Sequence, residues 1–317
     1  MNVMEPNSLS PRSRRRSARW TFASCALLAL SLSINGCAKK KMIGSTTDDS
    51  AERAPSGTQS NSSTPSTARQ GEPVSTVVAP SVSLGKPGKG VIGPSGVAAF
   101  DALGQEDLKR LRGARIFFGH QSVGNNLIDA AKALGYGFRH VDSDADFAMA
   151  GLGEAPVLDN HDPHRKVRSF AELLVEKKVA ERADLAGFKL CYVDFESSMK
   201  VAGLREAYTA KMDELRAAYP KLRLFHVTPP LTTTGHAENR ARLDFGDWLK
   251  TTYGNRDVVV DLAAIESEMP DGKLCTSNGV RSLCRDYASD SGHLKAEGAT
   301  RGAKALLYGF ARALGAT

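Results

Sequence analysis

The segment Arg115-Ile116-Phe117-Phe118-Gly119-His120-Gln121-Ser122-Val123-Gly124 passes from a short apolar run into a polar turn. From Val123 to Leu134 the apolar residues then recur at helical spacing. A β-branched and aromatic run of this length, closed by glycine, predicts a strand over Arg115–Gly119, and the following pattern predicts a helix over Val123–Leu134. Ser122 therefore falls on the turn between them, at a helix N-terminus. Unpaired N–H groups and the helix dipole there favour negative charge.

The same alternation continues outward. Phe188 to Phe195 (FKLCYVDF), Leu222 to Thr228 (LRLFHVT) and Asp257 to Leu262 (DVVVDL) read as further strands. Between them, Leu204, Tyr208, Met212 and Leu215 define a helix that ends before Pro220, and Ala241 to Tyr253 a second. Ala303, Leu306, Leu307, Phe310 and Leu314 line one face of the last helix. Strands alternating with helices predict an α/β fold, three-layer α/β/α around a mostly parallel sheet. Functional groups in such sheets gather at the carboxyl ends of the strands.

The N-terminal third is different in kind. Arg12, Arg14, Arg15, Arg16 and Arg19 precede an apolar stretch, Trp20 to Leu32, that is short for a membrane span. It closes on Ile34-Asn35-Gly36-Cys37, which resembles the lipobox of bacterial lipoproteins. The resemblance implies cleavage after Gly36, a signal peptide over 1–36, acylation of Cys37 (the palmitate class of anchor) and a membrane-anchored protein of the cell envelope. With Ala38 next, the outer membrane facing the periplasm is expected in a two-membrane cell. Ser45 to Gly96 holds 30 Ser, Thr, Pro or Gly in 52 residues and no aromatic. That composition cannot offset its ordering entropy, so 37–96 is expected to be a disordered tether, reaching about 40 Å, with the folded domain over 97–317.

Formal charge is +7 for the 317 residues. Without the leader, which carries five arginines and one glutamate, 37 basic and 34 acidic residues remain, too even a balance to point to nucleic acid. Among the cysteines, Cys191 lies in an apolar run and reads as a buried thiol. Cys275 and Cys284 flank a short loop, and either a disulfide or two free thiols fits. No glycine-rich nucleotide fingerprint occurs, and no cofactor is expected. His161-Asp162-Pro163-His164 groups metal-type ligands on one loop, but solvated loop polarity explains them better, and no metal is expected.

Asp290-Ser291-Gly292-His293 stands directly before the last helix, far along the chain from Ser122. A serine hydroxyl becomes nucleophilic when an imidazole takes its proton and a carboxylate fixes the imidazole tautomer. Together these segments resemble the SGNH (GDSL-type) hydrolases, with a serine after the first strand and Asp-x-x-His near the C-terminus. The resemblance spans roughly Gly113 to Ala313 and implies a flavodoxin-like topology and ester hydrolysis. Ser122 is then the nucleophile, His293 the general base and Asp290 its orienting carboxylate. Departures are evident: the family's Gly-Asp-Ser stands here as His120-Gln121-Ser122. The Gly-x-Asn-Asp expected after the FKLCYVDF strand is absent, since that strand closes on Val193-Asp194-Phe195-Glu196-Ser197.

The oxyanion donors are open: the Ser122 N–H, Gly151 or Gly153, and Asn160 are candidates. His120 is a candidate for substrate binding or for packing at the sheet edge. Asp194 is a candidate to orient the serine loop, bind substrate or cap. Ser122 and Asp290 also suit plain helix capping, and His226 reads as a satisfied core histidine. The function expected is a serine esterase or acyl hydrolase acting on a small-molecule or glycan ester of the envelope. The alternatives are a non-catalytic glycan-binding lipoprotein on the same fold, or an O-acyltransferase. The sequence does not fix the oligomeric state.

Overall fold

The computed structural model describes residues 82–316. The leader, Cys37 and most of the expected tether lie outside the described residues. Regular structure starts earlier than the Val97 boundary read from composition. β1 (Gly90–Ile92) already pairs in the sheet, and α1 (Ser95–Asp101) and α2 (Gln105–Gly113) follow. Glycine and proline made this stretch look unstructured; three ladder residues at a sheet edge need little apolar surface of their own.

Next come β2 (Arg115–His120), α3 (Val123–Ala133), β3 (Phe138–His140) and β4 (Gly151–Pro156). They are followed by α4 (Pro163–Val175), β5 (Leu185–Phe188), α5 (Val201–Ala218) and β6 (Arg223–Val227). The chain closes with α6 (His236–Tyr253), β7 (Val258–Val260), α7 (Leu262–Ser267) and α8 (Ala296–Leu314). The seven strands form one sheet in the order β1-β7-β6-β5-β2-β4-β3, every pair parallel. Without the short edge strands β1 and β3, the order is the flavodoxin-like one expected.

Alternate residues of β2 divide the core. Ile116 and Phe118 face a layer with Val123 and Leu127 of α3 and Leu306 and Phe310 of α8. Phe117 faces the other, with Phe170 of α4, Leu204 and Tyr208 of α5 and Phe245 of α6. A strand buried on both faces reads as a continuous apolar run, which is why β2 was legible.

The FKLCYVDF reading needs correction. The ladder occupies Leu185–Phe188, and the chain leaves it at Lys189, closing into a single 3₁₀ turn at Tyr192–Asp194. Cys191 and Phe195 are buried without pairing in the sheet: Phe195 packs on Phe245 of α6, and Cys191 lies against the Gln121 carbonyl. Gly187, which weakens any strand signal, is required there: a Cβ would lie 2.3 Å from the Phe225 carbonyl oxygen. Cys275 and Cys284 form a disulfide beside a two-stranded hairpin, Thr276–Ser277 with Val280–Arg281. Cys191 is a buried free thiol.

Candidate active site

The β2–α3 turn and the loop before α8, 171 residues apart in sequence, meet at the carboxyl end of the sheet. Ser122 Oγ lies 2.7 Å from His293 Nε2, and His293 Nδ1 lies 2.7 Å from Asp290 Oδ2. Asp290 Oδ1 also accepts the N–H groups of Gly292 and His293, each at 2.8 Å. Those two backbone donors, followed by the imidazole, hold the Asp290 carboxyl down at about 2. It is therefore ionised at any ordinary pH, and the carboxylate fixes the proton of neutral His293 on Nδ1. Nε2 is left with a lone pair facing the serine hydroxyl.

Ser122 occupies φ 55°, ψ −113°, a conformation that side-chain-bearing residues rarely adopt. Such strain persists only where surrounding packing imposes it. Here the packing is the close approach of α3 to β2. Gly124 sits against the ring of His120, where a Cβ would fall 2.5 Å from the histidine Cβ. The serine side chain makes no capping bond to the helix, so the plain N-cap reading of Ser122 does not hold.

Tyr192, from the turn after β5, packs its ring edge-to-face with His293 at 5.7 Å and borders Ser122. Burial, and then the nearby Asp290 charge, raise its hydroxyl above the ordinary tyrosine value. The loop of Thr232 and Thr233 supports the histidine loop from behind, with the Thr233 N–H donating to the Ser291 carbonyl at 2.8 Å.

On the other side of Ser122 opens a polar cavity of about 520 Å³ lined by His120, Gln121, Asn125, His140, Glu154 and Asn160. His120 is almost wholly buried. Its Nε2 donates to Glu154 at 2.9 Å, while the other Glu154 oxygen pairs with His140 Nδ1 at 3.1 Å. The hydrogen bond from His120, more than any other influence, holds the Glu154 carboxyl below its ordinary range; its bond to Glu154 likewise raises His140. His120 thus packs beneath the serine turn, against Gly124, and forms part of the cavity wall.

Two of the remaining residues are not where the sequence put them. Gly151 and Gly153 lie in the first half of β4, short of the carboxyl end. The Gly151 N–H is spent on Ala114, and Val141 and Phe147 cover Gly153. Neither supplies an oxyanion donor. Asp194 is fully buried and binds no substrate. Its carboxylate is paired with Lys166 of α4 at 2.8 Å and accepts the N–H groups of Cys191 and His161. His226 is the satisfied core histidine expected, bonded to Tyr208 and Asp257 and pushed down by burial. No group of three metal-type ligands occurs among the described residues.

Sequence reasoning missed Lys166, Glu154, His140 and Tyr192. For Lys166 a signal existed, because it sits four residues before Phe170 on the face of α4 that carries Val167, Phe170 and Leu174. A lysine on an apolar stripe asks for a buried partner.

No family model matches the sequence, and neither does any curated protein. Solved structures do align with it. A protein assigned to the lipolytic G-D-S-L family, from Desulfitobacterium hafniense DCB-2, aligns at 9% identity over 61% of this chain and 98% of its own, with a TM-score of 0.39. A lipase/acylhydrolase from Enterococcus faecalis aligns at 15% identity over 52% of this chain and 89% of its own, with a TM-score of 0.30. A salicylyl-acyltransferase from a tetracycline biosynthetic pathway aligns at 9% identity over 61% of this chain and 53% of its own, with a TM-score of 0.34.

Proposed function

We propose that this chain is a serine ester hydrolase of SGNH type, carried at the cell envelope by a lipid on Cys37. One observation carries the chemistry: the unbroken relay from Ser122 Oγ through both nitrogens of His293 to Asp290. Ser122 Oγ attacks the ester carbonyl carbon as its proton passes to His293 Nε2, and the carbonyl π pair moves onto oxygen. The tetrahedral oxyanion is met by the backbone N–H of Ser122, which no acceptor engages among the described residues. Collapse breaks the bond to the alcohol oxygen, which takes the proton from His293. Water then repeats the sequence on the acyl-serine, releasing the acid and restoring the hydroxyl.

The cavity beside Ser122 supports a polar ester. Its imidazoles, amides and carboxylate suit a hydroxyl-rich alcohol such as an O-acylated glycan better than a lipid chain. The purified full-length chain should hydrolyse p-nitrophenyl acetate, with Ser122→Ala at least about 10³-fold slower. Equal rates in the two proteins would end the hydrolase reading in favour of a binding role. If added glycan accepts the acyl group faster than water does, the enzyme is a transferase instead.

A further inference from the structure

Near the site Lys166 and Asp194 form an ion pair with both side chains at 0% exposure. Removing an ion pair from water costs several kcal/mol per ion unless every donor and acceptor is satisfied. Here they are. Lys166 Nζ directs its three protons to Asp194 Oδ1 at 2.9 Å, Asp194 Oδ2 at 2.8 Å and Asn160 Oδ1 at 2.6 Å. Asp194 takes, besides the ammonium, the N–H of His161 at 3.0 Å and of Cys191 at 2.6 Å. The pair therefore ties the Asn160–His161 loop after β4 to the 3₁₀ turn after β5.

The one group in this network that reaches the open site is Asn160. An ammonium has only donors, so the amide atom facing it must be the carbonyl oxygen; a flipped amide would set N–H against N–H. The Asn160 NH₂ is consequently turned away from Lys166. Asn160 lines the same cavity as Ser122. His161 next to it holds φ 70°, a second strained residue at this end of the sheet, and its N–H is the one that Asp194 captures.

We infer that Lys166 and Asp194 are positioning residues that fix Asn160 as the side-chain donor to the oxyanion formed at Ser122, in place of the asparagine missing after β5. The inference rests on the hydrolase reading and adds to it the donor and the device that aims it. A preorganised donor acts because it needs no reorientation when charge develops. A buried ion pair on the amide oxygen polarises the amide and removes its rotational freedom. Lys166 and Asp194 touch no substrate; Asn160 does.

The decisive variant is Asn160→Asp in the full-length chain, assayed on p-nitrophenyl acetate. Aspartate keeps, and strengthens, the contact with Lys166 but presents an acceptor to the oxyanion. A purely structural Asn160 predicts retained activity. The donor role predicts a fall in kcat of about 10²- to 10³-fold, with KM for the small ester within about threefold and an undiminished melting temperature. Asn160→Ala should fall equally.

Lys166→Met with Asp194→Asn neutralises the pair without stranding a charge. It should lower kcat by about 30-fold in the wild-type background and hardly at all in the Asn160→Ala background. Unchanged kcat in Asn160→Asp overturns the proposal, whatever the lysine variants do. Additive losses in the two backgrounds show that the pair does not act through Asn160, and overturn its positioning role. Failure of the hydrolase reading itself appears separately, as wild type no faster than Ser122→Ala.

Discussion

Asp290 offers the sharpest test of the relay, because two substitutions there should rank against intuition. Its Oδ2 is 2.7 Å from His293 Nδ1, and more than half of its side chain (55%) is exposed. Asparagine preserves shape, and its oxygen still accepts the Gly292 and His293 N–H groups. Its NH₂, however, faces Nδ1, which must then carry the lone pair. The proton moves to Nε2, and the imidazole presents a donor to Ser122 where a base is needed. The loss should reach about 10⁴-fold in kcat/KM, about 5.5 kcal/mol at 1.36 kcal/mol per decade.

Alanine leaves a gap at a solvent-exposed rim, and water fills it. A water molecule can accept from Nδ1–H and retain the productive tautomer, so general-base catalysis survives in part. The expected loss is about 10²-fold. Both variants should melt within a few degrees of wild type, since a carboxylate this exposed contributes little to folding. Initial rates of p-nitrophenyl acetate hydrolysis over a range of substrate concentrations give the ratio directly. An asparagine variant as active as the alanine variant, or more so, refutes the tautomer argument and with it the role assigned to Asp290.

Gly292→Ala should damage catalysis more than stability. Its Cβ would fall 2.6 Å from Cε1 and Cζ of Tyr192, whose ring flanks His293 and must then move. A displacement of this kind is expected to lower kcat by about 10- to 100-fold, with the melting temperature changed by only a few degrees. Glu266 of α7 governs a different property. It is fully buried, one carboxyl oxygen lacks a partner among the described residues, and burial lifts it from an ordinary 4.5 to about 8 despite Lys189 and Arg242 nearby. A carboxyl whose folded value lies above its unfolded one contributes all its stability below the unfolded value and loses it as pH rises through the folded value. Stability should therefore decline from about pH 4.5 to 8. Glu266→Gln should flatten that slope in thermal unfolding, and an unchanged slope would remove Glu266 as its source.

The fold class lay open in the sequence because parallel strands buried on both faces are continuous apolar runs. RIFFG, LRLFHVT and DVVVDL were found on that basis, within a residue or two of β2, β6 and β7. β1, β3 and β4 were not. Two are three-residue edge strands, and β4 (GLGEAP) carries glycine where Val141 and Phe147 pack across it, so neither length nor hydrophobicity marked them. α6 begins at His236, ahead of the Ala241 read from periodicity, because its first turn is polar.

Ser122, Asp290 and His293 were nameable from chemistry alone: a serine on a strand-to-helix turn, and a carboxylate and imidazole three residues apart. Local spacing says nothing about whether segments 171 residues apart will meet, and the sheet order determined that, by placing β2 in its interior, between β5 and β4, with α8 packed across it. The buried network was hidden for the same reason. Lys166, Asp194 and Asn160 come from one helix, one 3₁₀ turn and one loop, and each alone has an ordinary surface explanation. Only tertiary packing brings them together: it buries the Lys166–Asp194 pair and leaves one ammonium proton for the Asn160 oxygen, which orients the amide.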